Sequence, residues 1–160
     1  MSGVERNLYL GVDPGGSGGI AILDMDGAVV DVTPMPDGEH AIADYFNEFS
    51  PRIKMAIIEI VHSFPGQGVA SSFKFGRGYG GLIMALVCTK IPFEYVAPGV
   101  WQKPFGLIET GRKSHDSKTE KKNKHKERAA SLFPSVKITH AIADAVLLAE
   151  FCRRKAKGLL

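Results

Sequence analysis

Cysteine is scarce in this chain. Only Cys88 and Cys152 occur in 160 residues, each inside an apolar helical pattern ("LIMALVC" and "VLLAEFC"), so packed, reduced thiols are expected rather than a disulfide or a metal centre. A reducing, cytoplasmic setting fits that usage. Long hydrophobic runs are absent too: none approaches the ~20 residues needed to span a bilayer, and "MSGVERNLYL" holds no apolar stretch of signal-peptide length. A soluble protein without a membrane partner is the expectation. There is no internal repeat, and the formal charge is only +3, which indicates a mild overall preference for anionic partners. The charge is unevenly spread, however. Residues 112 to 128 hold eight Lys or Arg against three acids, a net +5, so the remainder nets −2. With 44% hydrophobic residues, the chain suits a single domain over residues 1–160 with a core of its own.

The order of elements reads as mixed α/β. "NLYLGVD", "GGIAILDMDG" and "GAVVDVTPMP" form three strands of an antiparallel meander, the second ending in an Asp-Gly turn. "GEHAIADYFNEF" spaces Ile42, Tyr45, Phe46 and Phe49 as a helix does, and "IKMAIIEIV" is a continuous apolar strand of the kind buried on both faces. "GVASSFKFGRGYGGLIMALVCTK" reads as a helix whose glycine-rich first half allows something to approach closely, and "IPFEYVAP" supplies a fifth strand. Residues 106–126 are polar and basic and are expected to form a mobile loop. "KHKERAASLFP" ends a helix at Pro134, and "THAIADAVLLAEFCRRKAK" opens the last one, with Thr139 as its N-cap and cations in its final turn.

Three carboxylates stand where burial is costly. Asp13 ends the first strand, Glu59 sits inside "AIIEIV", and Asp144 sits inside "AIADAVLLA". An isolated ionised carboxylate in apolar surroundings costs several kcal/mol, so such groups are paired or bound to metal. If the first and fourth strands are neighbours and the last helix packs across them, the three acids converge on a divalent cation site. Oxygen ligands without a cysteine cluster select Mg²⁺ or Mn²⁺, and phosphodiester chemistry follows. His140, four residues before Asp144, shares its helix face and could ligate metal or orient the attacking water. The competing readings are bland: Asp13 as a turn former before Pro-Gly-Gly, Asp144 as a partly exposed helix residue, and Glu59 in an ion pair with Lys54 or Arg52.

In this order, "GVDPG", "IIEIVHSFPGQGVASSFKFGRGYGGL", "APGVWQKPFGL", "KHKERAASLFP" and "HAIADAVLLAEF" resemble the RuvC-like Holliday junction resolvases of the ribonuclease H-like superfamily, particularly the short forms found in phages. The resemblance covers most of the chain. It implies a ribonuclease H-like fold, with a five-stranded mixed sheet flanked by helices. It also implies a homodimer that binds four-way junctions and other branched DNA, and two Mg²⁺ per active site with Mn²⁺ able to substitute. Symmetric nicks would leave 5′-phosphate and 3′-hydroxyl ends. By motif, Asp13, Glu59 and Asp144 match the metal-binding acids and Lys103 matches a basic position near the scissile phosphate. Relatives carry Asp or His three or four residues before the last acid; here Ala141 and His140 occupy those places, leaving His140 as the nearby candidate for a fourth ligand.

For the DNA itself, "SFPGQGVASSFKFGRGYGG" interleaves Phe64, Phe73, Phe75 and Tyr79 with Gln67, Lys74 and Arg77. Aromatics can stack on unpaired bases while cations neutralise phosphates. Phe64 is the candidate for the junction centre, and Phe73 or Phe75 could equally be core. The basic window, with Lys113, Lys118, Lys121, Lys122, Lys124 and Arg128, would grip duplex arms, or else is a solvated face. Trp101 is read as packing. Three rivals share part of this pattern: a ribonuclease acting on RNA–DNA hybrids, a lobe of an actin-like ATPase or sugar kinase, and a non-catalytic junction-binding protein. The second needs two such lobes, and the third leaves the acids unexplained.

Overall fold

The computed structural model describes residues 5–108 and 115–160. Five strands form one sheet in the order β3-β2-β1-β4-β5: β1 (Leu8–Asp13), β2 (Gly19–Leu23), β3 (Val29–Pro34), β4 (Ile53–Glu59) and β5 (Phe93–Val96). The first three pair antiparallel, and β1–β4 and β4–β5 are parallel. Helices α1 (Gly38–Phe49) and α2 (Val69–Cys88) cover one face; α4 (Lys118–Leu132) and α5 (His140–Ala156) lie on the other, with the short α3 (Pro98–Gln102) and a 3-10 turn (Lys103–Phe105) beside them.

Alternation along the strands sorts the residues between these layers, since successive side chains point to opposite faces. Leu8, Leu10, Val12, Ala56 and Ile58 join the core under α1 and α2, whereas Tyr9 and Ile57 join the core under α5. Continuing that period by two puts Asp13 and Glu59 on the α5 face. Glycine lets α5 come close: a β-carbon at Gly11 would lie 2.2 Å from Ala149 N, and one at Gly19 would lie 2.7 Å from Ala141 O. The turn from β1 to β2 is equally tight, with Gly15 at φ +108° and a β-carbon on Gly18 falling 2.1 Å from Asp13 O.

Several expectations need correction. Residues 118–126, expected in a mobile loop, are the first part of α4; Ser117 Oγ accepts the Glu120 N–H while Glu120 Oε2 accepts the Ser117 N–H, a reciprocal cap that starts a helix whose first turns carry no apolar residue. Thr139 holds the expected N-cap position of α5, though its side chain makes no capping hydrogen bond. Cys152 is buried and burial pushes its thiol up to about 12, but Cys88, expected to be packed, is exposed, because the outer face of α2 has no neighbour among the described residues. Both are free thiols. No helix among the described residues is long and apolar enough to cross a membrane.

Candidate metal centre and nucleic-acid face

The parallel register Val12↔Ile58 brings Asp13 and Glu59 to the ends of neighbouring strands, and α5 brings Asp144 near enough for its charge to act on both. Burial comes first in holding the Asp13 carboxyl well above the usual carboxylate range, and the charges of Asp144 and Glu59 add to it, with Lys122 pulling the other way. Glu59 is raised as well: burial leads, Asp144 adds, and a hydrogen bond from Trp101 and the proximity of His125 oppose. Neither acid has an ion pair among the described residues, so the pairing of Glu59 with Lys54 or Arg52 does not occur.

Two contacts here have little sequence signal. The Trp101 indole N–H donates to Glu59 Oε2 at 2.5 Å, and His125 Nδ1 lies 2.7 Å from Asp144 Oδ1. The two rings meet edge to face, with centroids 5.6 Å apart. Trp101 is fully buried, as the expected packing role requires, but it also binds a candidate ligand. His125 escaped notice inside a polar, charged stretch; the available signal was its spacing with Ala129 and Leu132 on the inward stripe of α4. His140, by contrast, is exposed at the first position of α5, with Nε2 2.9 Å from Asn123 Oδ1. Among the described residues it makes no hydrogen bond or ion pair with any of the three acids. Lys103 is exposed at the start of the 3-10 turn, two residues beyond Trp101, and forms no ion pair with the acids among the described residues.

Among the described residues, no three His, Cys, Asp or Glu side chains stand close enough to grip one ion as placed. The donor set still fits a hard divalent cation. Asp13 on β1 feels the charge of both other acids and Glu59 on β4 feels that of Asp144 on α5, and the carboxylate of Asp13 accepts no hydrogen bond among the described residues; a divalent cation relieves such repulsion.

The candidate DNA-contacting residues separate into groups. Phe64 and Phe73 are each 73% exposed. Gln67 stiffens the loop that carries Phe64, its Oε1 accepting the Phe64 N–H at 3.2 Å. Lys74 is exposed, and Arg77 is exposed in a 2.6 Å ion pair with Glu39. Phe75 is half-buried against Gly15, and Tyr79 packs on the core while its hydroxyl donates to the Glu59 carbonyl at 3.3 Å, so those two rings support the site from within. On α4, Lys118, Lys121, Lys122 and Lys124 are exposed, Lys124 with Asp116 at 2.6 Å. Arg128 turns inwards, its Nε buried without a hydrogen-bond partner among the described residues. Lys113 lies outside the described residues.

No sequence-family model and no curated protein sequence matches the chain. Among solved structures, RuvC of Thermus thermophilus in complex with a Holliday junction substrate matches with a TM-score of 0.65 and 13% identity, over 95% of this chain and 97% of that one. Another structure of Thermus thermophilus RuvC gives 0.63 at 15% identity, with the same coverage. The fold is therefore ribonuclease H-like: a five-stranded mixed sheet flanked by helices.

Proposed function

We propose that the chain is a divalent-metal-dependent endonuclease that resolves four-way junctions and other branched DNA. The observation that carries this reading is the convergence of Asp13, Glu59 and Asp144 on one face of the sheet, the charge of Asp144 acting on both strand acids, beside a helix edged with lysines. These three acids would hold Mg²⁺, two ions per site, with Mn²⁺ as a substitute; His140 would join them only after leaving Asn123. Bound cations supply the Lewis acidity that activates water and neutralises the leaving 3′ oxygen.

The chain's own residues do the rest. Lys122, close enough to Asp13 to oppose its raised pKa, would hold a scissile-strand phosphate, and Lys118, Lys121, Lys124 and Lys103 would neutralise phosphates further along the arms. Phe64 would stack on a base at the junction centre. A phosphodiester opened by water in this way leaves a 5′-phosphate and a 3′-hydroxyl. For paired nicks a second copy is required, and the outer face of α2 fits it: Val69, Phe73, Met84 and Val87 are exposed along one stripe, and β-carbons added at Gly76 or Gly80 between them would meet nothing. Phe73 would be shared between that seat and the junction.

The test is incubation with a synthetic four-way junction, a linear duplex and an RNA–DNA hybrid, each in Mg²⁺ or EDTA. Paired nicks confined to the junction and dependent on Mg²⁺ are expected. Cleavage of the hybrid alone would reassign the chain to RNA–DNA hydrolysis.

A further inference from the structure

Each of the two carboxylates nearest α3 and α4 is met by an aromatic side chain, and those side chains meet each other. Trp101 is fully buried on α3, which Pro98 opens and where the Ala97 carbonyl accepts the Val100 N–H at 3.0 Å. Its indole nitrogen can only donate, and a backbone carbonyl would satisfy it as well as any acid; here it is directed at Glu59 Oε2, 2.5 Å away. His125 has a side chain only 13% exposed and reaches Asp144 Oδ1 at 2.7 Å. Its ring stands at 78° to the indole, so neither ring can turn without disturbing the other. β4, α3, α4 and α5 are thereby linked through four side chains.

We propose that Trp101 and His125 are positioning residues whose paired rings fix the carboxylates of Glu59 and Asp144 in one arrangement for a divalent cation. The inference rests on the cation site proposed above. Without the bridge both carboxylates regain rotamer freedom, and a ligand that must be ordered on binding binds more weakly.

The test is calorimetric titration of the full chain with Mn²⁺, for the wild type, for protein whose Trp101 indole is replaced biosynthetically by benzothiophene, and for His125→Ala. Benzothiophene keeps the shape and removes the N–H, so the melting temperature should hold while Mn²⁺ binds about tenfold more weakly. His125→Ala should weaken Mn²⁺ binding by a similar factor. Trp101 is the only tryptophan, so Mn²⁺ should also quench the wild-type emission, and Glu59→Gln should remove that quenching. Unchanged Mn²⁺ affinity in either variant, with the wild type binding Mn²⁺ and cutting junctions, overturns that residue's positioning role alone. No saturable Mn²⁺ binding by the wild type overturns both this inference and the cation site.

Discussion

Gly11 and the backbone of Ala149 touch: a β-carbon on Gly11 would lie 2.2 Å from Ala149 N and 2.4 Å from Ala145 O. α5 therefore rests directly on β1, and this contact sets the height of Asp144 relative to Asp13. Gly11→Ala must lift the helix, because the atoms it meets are backbone and cannot rotate away. It should cost about 3 kcal/mol in urea unfolding and remove nicking. Gly16→Ala, where an added β-carbon meets nothing, should change stability by less than about 0.5 kcal/mol. Wild-type stability in Gly11→Ala would show that α5 is not held at this point.

Asp13 gives a pH prediction of definite sign. Its carboxyl is raised by burial and by two neighbouring acids, so it holds its proton more tightly folded than unfolded. The stability linked to it is full below the unfolded value of ~3.9 and is lost as pH rises through the higher folded value. In metal-free protein, Asp13→Asn should then melt above wild type at pH 8, with the difference shrinking towards pH 4. Mg²⁺ should raise the wild-type melting temperature more than that of the variant. Asp13→Asn, Glu59→Gln and Asp144→Asn should each abolish nicking while junction binding in EDTA persists. A lower melting temperature for Asp13→Asn at every pH would mark Asp13 as a partner in a structural contact instead.

The exposed lysines of α4 should act on DNA of every shape. Neutralising Lys121, Lys122 and Lys124 together removes up to three phosphate contacts, and each contributes about 0.9 to the slope of log affinity against log salt. The triple variant should bind junction and duplex more weakly by similar factors, with a shallower slope. An unchanged slope would make these lysines a solvated face.

Much of this architecture is legible in the sequence because hydrophobic period and topology agree. The run "AIIEIV" declares β4 a buried strand, and an acid inside it has few ordinary explanations, so Glu59 stands out before any coordinates exist. What escapes notice lacks a period. Trp101 lies on a helix of five residues, too short to repeat. The start of α4 is specified by the Ser117–Glu120 cap rather than by apolar spacing, and a reading by hydropathy makes it a loop and hides His125 within it. Gly11 and Gly19 go unremarked because their meaning depends on which helix crosses them. Cys88 looks packed from its apolar neighbours, and only the three-dimensional arrangement leaves that side of α2 uncovered among the described residues.

The two histidines make the sharpest contrast. Spacing alone favours His140, which shares a helix face with Asp144, but its Nε2 is bonded to Asn123 and its ring is exposed; His125, from the neighbouring helix, is the one in contact with Asp144. His125→Ala should lower the junction cleavage rate tenfold or more with binding intact, because Asp144 loses its partner. His140→Ala should cost less than threefold. Asn123→Ala refines the comparison by releasing His140: if that imidazole can reach a bound cation once free, Asn123→Ala should tighten Mn²⁺ binding, and His140→Ala in the same background should cancel the gain. A tenfold loss in His140→Ala, with His125→Ala near wild type, would return the ligand role to the residue that helical spacing selects and would mean that α4 shifts when metal and DNA bind.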